Sequence, residues 1–216
     1  MELVRVDTQR AYKLLQDKIT TLELAPGEAI NDQALADELK MELTPIREAL
    51  KLLAHDGLVT IQPKGIYVVD VSLPDLEQLS ELRLILESYS AQLAAQRAQP
   101  DDIAVLDALC QEQAGIPADE ARRLFEVDHK FHQAVAQASH NRYLASVLES
   151  FFGLSQRLWY LVLPHLEFLP AAVEMHLDMV EAIKTGDESG AAEIMRTHIQ
   201  EFYDQVQGVL SDLADE

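Results

Sequence analysis

The segment "DELKMELTPIREALKLL", residues 37–53, contains the pattern that decides the fold of the first part of the chain. Two short helical patterns meet in it, and the apolar residues of the second recur on one helical face: Ile46, Leu50 and Leu53. Thr44 is predicted as the N-cap of this second helix and Pro45 as its first residue, where the missing proline N–H costs nothing. The segment therefore predicts the helix-turn-helix arrangement with which small regulators read DNA.

The flanking sequence completes a small domain. A helical pattern precedes the segment in residues 8–24, and its apolar face comprises Ala11, Leu15, Ile19 and Leu22. Asn31 is placed to cap a second helix, "DQALADELK". Two β-branched runs in "GLVTIQPKGIYVVDV" surround a Pro-Lys-Gly turn and predict a hairpin. Three helices followed by a hairpin predict a winged helix-turn-helix domain over residues 1–71.

The rest of the chain, residues 72–216, is predicted to be a separate domain made only of helices. A short linker, "VSLPD", separates it from the first part. Six helical patterns follow, at residues 75–97, 100–114, 118–138, 142–163, 168–185 and 188–211. With 48% hydrophobic residues and only eight Gly and eight Pro, the chain favours helix over sheet. The predicted fold class is therefore mainly α, an N-terminal winged helix-turn-helix followed by an all-α six-helix bundle.

The net charge of −20 is unevenly divided along the chain. Residues 1–70 hold 8 Lys and Arg against 12 Asp and Glu, whereas residues 71–216 hold 9 against 25. Such a negative field argues against indiscriminate binding to nucleic acid. The single cysteine, the charged N-terminal sequence and the lack of an apolar run of about 20 residues predict a cytoplasmic protein without a membrane partner.

Taken together, these patterns resemble a known family. Residues 22–69, and most specifically "LADEL", "TPIREAL" and "GLV", resemble the DNA-binding domain of GntR-family bacterial transcription regulators. The all-helical remainder resembles the effector-binding domain of the FadR-type branch, in its VanR-like subgroup. The resemblance implies a homodimeric transcription regulator, not an enzyme, that binds a pseudopalindromic operator and senses a small organic acid.

Four polar residues interrupt apolar helical stripes in the second part: Asp128, His132, His176 and His198. Asp128 and His132 lie one turn apart on the same helix face and can form an i,i+4 pair. Singly, each histidine is more simply a hydrogen-bonded structural residue. Jointly, an acid and three imidazoles in an apolar core are unfavourable unless they satisfy one another or an ion, and this donor set suits a divalent first-row metal.

The resemblance implies that the same four residues are metal ligands, because FadR-type domains with Asp-x-x-x-His on one helix and two later histidines bind a divalent metal. Zn, Ni, Mn and Fe are all candidates, and open coordination positions would accept a small carboxylate. Two further residues are predicted to contact this effector, Arg83 and Asn141. Arg83 can instead form an internal salt bridge with Glu87 or Asp128, and Asn141 can serve only as an N-cap.

Four residues of the first domain are predicted to contact DNA: Thr44, Arg47, Lys64 and Gly65. Thr44 can donate to a phosphate, and Arg47 matches an arginine that family members direct at DNA. Lys64 and Gly65 are predicted to form the wing tip, which can approach the minor groove or the backbone.

Two other functions remain open. The family pattern before Thr-Pro is Ser or Thr followed by Arg, whereas this chain has Glu42 and Leu43, and Lys64 stands where a wing arginine is often found. A ligand-sensing dimer that has lost specific DNA binding is therefore one alternative. The other is a metal-dependent enzyme on a helical bundle, because open coordination positions also suit catalysis.

Overall fold

The computed structural model describes three stretches of the chain, residues 2–70, 73–162 and 169–214. Within these stretches there are nine helices and one small sheet. The chain divides into two compact units, Met1–Ser72 with Gly153–Leu161, and Leu73–Phe152 with Val162–Glu216. The predicted domain boundary between residues 71 and 72 lies outside the described residues and stays a prediction.

Six elements form the first unit in the order expected of a winged helix-turn-helix. They are α1 (Glu2–Thr20), β1 (Ala29–Ile30), α2 (Asp32–Leu39), α3 (Leu43–His55), β2 (Val59–Gln62) and β3 (Gly65–Val68). The sheet order is β1-β3-β2, and both strand pairs are antiparallel. The strand β1 adds to the predicted hairpin, since a two-residue strand is too short to show an alternating pattern in the sequence.

These helices and strands share one apolar core, with fully buried side chains that include Leu15, Ile19, Ile46, Leu50 and Leu53. They belong to the apolar faces that the residue spacing predicted for α1 and α3. Asn31 Oδ1 accepts a hydrogen bond from the Ala34 N–H at 3.0 Å, which confirms the predicted cap of α2. The turn to α3 begins at Lys40, whose φ of 53° is the left-handed conformation that commonly ends a helix.

Helices α1 and α3 depart from their predicted boundaries, and α1 already begins at Glu2, ahead of its pattern at residues 8–24. Helix α1 ends at Thr20, four residues before the end of its pattern, because Leu22 adopts a φ of 62° and so leaves the helical conformation. Glu42, not Thr44, is the N-cap of α3, and its side chain makes no capping hydrogen bond. Pro45 therefore lies at the third helical position, where it has no N–H to offer a capping side chain.

Six helices follow along the chain, within a few residues of their predicted ranges, and they form the second unit except for the segment Gly153–Leu161, which is grouped with the first. They are α4 (Leu73–Arg97), α5 (Pro100–Ala114), α6 (Ala121–Ala138), α7 (Arg142–Val162), α8 (Leu169–Thr185) and α9 (Glu188–Ala214). Helix α4 packs along α9 and contacts α6 and α8, while α5 packs on α6 and α8. The described part of this unit contains no strand, as predicted. Among the described helices, none is long and apolar enough to cross a membrane.

Helix α4 carries apolar residues on two opposite faces. One face is buried in the unit and includes Leu76 and Ala94. The other face exposes Leu82, Ile85 and Tyr89, whose side chains are 44%, 63% and 49% accessible to solvent. Because these three residues are spaced by three and four positions, they form one stripe along the helix.

Candidate metal centre

Four side chains from three helices converge inside the second unit. Asp128 and His132 project from α6, His176 from α8 and His198 from α9. One ligand atom from each residue lies within 4.8 Å of the ligand atoms of the other three. Residues that the sequence placed on separate helical stripes are therefore brought to one point by the fold.

Each histidine ring faces this point through Nε2. The Nε2 of His198 lies 3.0 Å from that of His132 and 3.4 Å from that of His176. The Asp128 carboxylate lies 3.4 Å from His176 Nε2 and 3.7 Å from the Nε2 atoms of His132 and His198. Lone pairs and a carboxylate held this close repel one another unless a proton or a cation lies between them.

The four side chains are shielded from solvent, and even the most accessible, Asp128, is only 13% exposed. Burial, together with the charge of the neighbouring histidines, lowers the pKa of His176 and His198 well below the usual value. Burial also raises the pKa of Asp128, against the opposing effect of His132 and Arg83. Neutral imidazole is the form that binds a metal, so burial of His176 and His198 keeps them in the ligating form.

Glu87 on α4 fixes the orientation of His132. His132 Nδ1 donates to Glu87 Oε2 at 2.5 Å, and Arg83 Nε donates to Oε1 of the same carboxylate at 2.5 Å. Burial alone would raise the pKa of Glu87, but the charges and hydrogen bonds of Arg83 and His132 lower it to about 2. Glu87 is therefore ionised and can only accept, which places a hydrogen of His132 on Nδ1 and leaves Nε2 to face the centre.

A neutral side chain orients His176. Its Nδ1 donates to Gln113 Oε1 at 2.7 Å, and its ring stacks on Phe131 with the centroids 3.9 Å apart. The sequence had indicated Glu87 only as a partner of Arg83. It gave no signal for Gln113, because 63 residues separate Gln113 from His176.

Gln113→Met is expected to lower the metal affinity of the centre by about 10–100-fold, the usual cost of losing an outer hydrogen bond to a ligating histidine. Methionine has a similar length but cannot accept the Nδ1 hydrogen of His176. Competition with a chelating dye measures the affinity. Gln111→Met, at an exposed position of the same helix, is the control. Equal affinities for the two variants would contradict an orienting role for Gln113.

The two predicted effector contacts occupy different places. Arg83 is buried beside the centre, where it pairs with Glu87 and lies over the Phe152 ring, with Cζ 4.9 Å from the ring centroid. This is the internal salt bridge that the sequence left open. Asn141 Oδ1 accepts from the Leu144 N–H at 3.2 Å and so caps α7. The effector contacts of Arg83 and Asn141 stay predictions.

The predicted DNA contacts lie on α3 and on the wing of the first unit. Thr44 and Arg47 are exposed near the start of α3, and Lys64 is exposed in the turn between β2 and β3. Gly65 has a φ of 150°, which residues with a Cβ rarely adopt. Arg47 already has a partner within the protein, because its Nε donates to Asp32 Oδ2 at 2.7 Å. The sequence patterns did not predict this pairing.

A helix-turn-helix is a DNA-binding motif, and in this chain it precedes a helical unit with a buried cluster of one aspartate and three histidines. Residues 7–69 match the domain described as bacterial regulatory proteins, gntR family, and residues 78–201 match the FCD domain. The chain belongs to the gntR family of bacterial regulatory proteins, with an FCD domain as its second part.

Curated relatives agree with this assignment. The Nta operon transcriptional regulator of Aminobacter aminovorans is 32% identical over 182 residues, which cover 84% of this chain and 85% of the relative. The HTH-type transcriptional repressor RspR of Escherichia coli (strain K12) is 25% identical over 209 residues, covering 96% and 92%. The family and these relatives confirm the prediction of a DNA-binding transcription regulator that is not an enzyme.

A solved structure shows the same fold. E. coli McbR/YncC superposes with a TM-score of 0.83 at 21% sequence identity, over 94% of this chain and 97% of that one. This similarity confirms the predicted order of a winged helix-turn-helix and an all-helical unit.

Proposed function

We propose that the chain binds its operator as a homodimer and that a small carboxylate, held at a divalent metal in the second unit, modulates this binding. The convergence of Asp128, His132, His176 and His198 within 4.8 Å carries the proposal. Regulators of this family bind operator DNA and usually act as dimers. The effector can shift DNA affinity only if it binds the competent and incompetent states unequally.

The donor set fits a divalent ion. Three imidazole nitrogens and one carboxylate oxygen suit Zn, Ni, Mn or Fe, and Asp128, His132, His176 and His198 would hold the ion. A six-coordinate ion held by these four ligands would leave coordination positions open, and there it would act as a Lewis acid toward an oxygen anion. The fixed Nδ1 hydrogen bonds of His132 and His176 support this assignment, because ligating histidines usually donate through their other ring nitrogen.

Arg83 is proposed as a second contact for the carboxylate. A guanidinium can receive a carboxylate through two N–H groups at once, and Arg83 already binds the Glu87 carboxylate through Nε. Because Arg83 is buried, a carboxylate that reached it would interact away from bulk water, where charge-assisted hydrogen bonds are strong. Asn141 is the weaker candidate, since its side-chain oxygen already accepts the cap hydrogen bond of α7.

Operator contacts are proposed for α3 and the wing. Thr44 would donate to a phosphate, Arg47 would read a base edge, and Lys64 with Gly65 would approach the minor groove or the backbone. The exposure of Thr44, Arg47 and Lys64 supports this assignment. Glu42 is also exposed, so we expect an operator that differs from those of relatives with an arginine before Thr-Pro.

The exposed apolar stripe of α4 supports the homodimer. Leu82, Ile85 and Tyr89 would face water in a monomer, on a helix whose opposite face is already packed. A two-fold axis through this stripe would let the same patch of each copy cover that of the other.

Ile85→Glu is expected to weaken the homodimer at least tenfold, or about 1.4 kcal/mol, because a carboxylate would lose its hydration in the interface. Sedimentation equilibrium over a range of concentrations measures the change. Val105→Glu, at an exposed apolar position of α5, is the matched control and should leave association unaltered. If both variants associate like the original protein, the α4 stripe is not the dimer interface.

A gel shift tests the proposal as a whole. The DNA is the intergenic region beside the protein's own gene, at low salt, where phosphate contacts are strongest. Metal-loaded and chelator-treated protein are compared with and without a panel of simple carboxylates. We expect a sequence-preferring shift that carboxylates change only in the metal-loaded protein. If neither metal nor carboxylates change the DNA shift, the sensing role is contradicted. If the protein shifts operator and unrelated DNA equally or not at all, the result supports a sensor without specific DNA binding.

A further inference from the structure

An ion pair joins the two helices of the helix-turn-helix. Arg47 on α3 donates from Nε to Asp32 on α2 at 2.7 Å, and the Arg47 side chain remains 57% exposed. The hydrogen bond from Arg47 lowers the pKa of Asp32, so this carboxylate is ionised near neutral pH. Asp32 is the first residue of α2 and follows the cap residue Asn31, so the helix fixes the position of its Cβ, and the short side chain keeps the carboxylate near that point.

The geometry of this pair matters more than its contribution to stability. A solvent-exposed ion pair of this kind stabilises a fold only slightly. However, an arginine held at Nε has the orientation of its guanidinium restricted, and the edge formed by Nη1 and Nη2 at the end of the side chain is not used by the Nε hydrogen bond. These two groups are the donors of a bidentate contact to guanine.

We infer that Asp32 is a positioning residue that orients Arg47 for base reading, an inference that rests on the proposed DNA contact of Arg47. A free arginine side chain must be ordered when the complex forms, whereas this one is ordered before DNA arrives. The Asp32 charge also repels phosphates, which lowers affinity for every sequence alike. Asp32 thereby increases the ratio of specific to non-specific binding.

This role predicts a change of opposite sign on the two kinds of DNA. An acid that acts only through its charge would, on removal, give tighter binding to all DNA. An acid that held Arg47 away from DNA would, on removal, also give tighter binding to the operator. Removal of a positioning acid weakens operator binding and strengthens binding to unrelated DNA.

Asp32→Ala in the full-length protein provides the test. Fluorescence anisotropy over a salt series compares the operator fragment found by gel shift with a scrambled duplex of equal length. We expect operator affinity to fall about 2- to 10-fold per half-site and scrambled-duplex affinity to rise. Asp32→Asn, which keeps the shape without the charge, should give a smaller change in the same directions. Thermal unfolding of both variants checks that α2 keeps its stability, because each variant loses an acid from the first turn of this helix.

Two controls separate positioning from charge. Glu42→Gln removes another exposed acid, one whose side chain makes no capping bond, and should tighten binding to both duplexes. In an Arg47→Ala background, Asp32→Ala should no longer weaken operator binding, since the residue that it orients is absent.

Three results would overturn the inference. The first is an operator affinity that Asp32→Ala leaves unchanged or increases, and the second is an equal loss with and without Arg47. Both leave the proposed DNA contact of Arg47 standing. The third is an unaltered operator affinity in Arg47→Ala itself, which would remove that contact and the inference together.

Discussion

His176→Ala is expected to remove most of the metal from protein purified without chelator. The His176 ring is fully buried, and its Nε2 lies 3.4 Å from both Asp128 Oδ1 and His198 Nε2. An alanine methyl group cannot replace this ligand, so the loss should exceed the 10–100-fold expected for an outer partner such as Gln113. His198→Ala should behave in the same way. Elemental analysis and chelator competition measure the content and the affinity.

The control for these variants is His55→Ala, because His55 is well exposed on α3 of the other unit. It should keep the full metal content. Both alanine variants of the centre leave a cavity, so their thermal unfolding is compared with that of the metal-free original protein. An unchanged metal content in both His176→Ala and His198→Ala would exclude the proposed centre.

Arg47→Ala is expected to weaken operator binding by about 1–3 kcal/mol for each half-site and to relax sequence preference there. The reason is the loss of the proposed bidentate contact between Arg47 and a base edge. In a symmetric dimer the loss occurs twice. Titration of the operator and of single-base variants by anisotropy measures both effects.

Lys51→Ala distinguishes base reading from simple attraction to phosphate. Lys51 is exposed on α3 and pairs with Glu48 at 2.7 Å. Its removal should weaken binding to all sequences alike. The slope of log affinity against log salt concentration should become shallower by about one for each phosphate that is no longer neutralised. If Arg47→Ala gave this same uniform change, Arg47 would contact phosphate and not a base.

Local patterns in the sequence predicted most of the fold and the four residues of the centre. Helices of 15 or more residues show their apolar stripe clearly, and a polar residue on such a stripe is visible without a structure. Asp128, His132, His176 and His198 could be identified in this way because each interrupts its own helix pattern. Their meeting at one point depended on how three helices pack, which the resemblance to the family suggested and spacing did not.

Features that arise from contacts across the fold could not be predicted. The bond from His176 to Gln113 spans 63 residues, and the pair of Asp32 with Arg47 spans 15 residues and a turn. Neither pair shares a helix face, so no periodic pattern connects its members. The start of α3 was misplaced for a local reason, because Thr-Pro usually marks a helix start, whereas here the helix begins at Leu43, two residues before Pro45.

The two faces of α4 have a mechanical consequence. Arg83 and Glu87 lie on the face toward the centre, and Leu82 and Ile85, their near neighbours in sequence, lie on the exposed stripe. A helix held by its own backbone hydrogen bonds moves as a stiff rod. If the stripe is the dimer interface, a small roll of this rod on effector binding would reach the partner copy directly. The signal would then need no relay of side chains through the bundle.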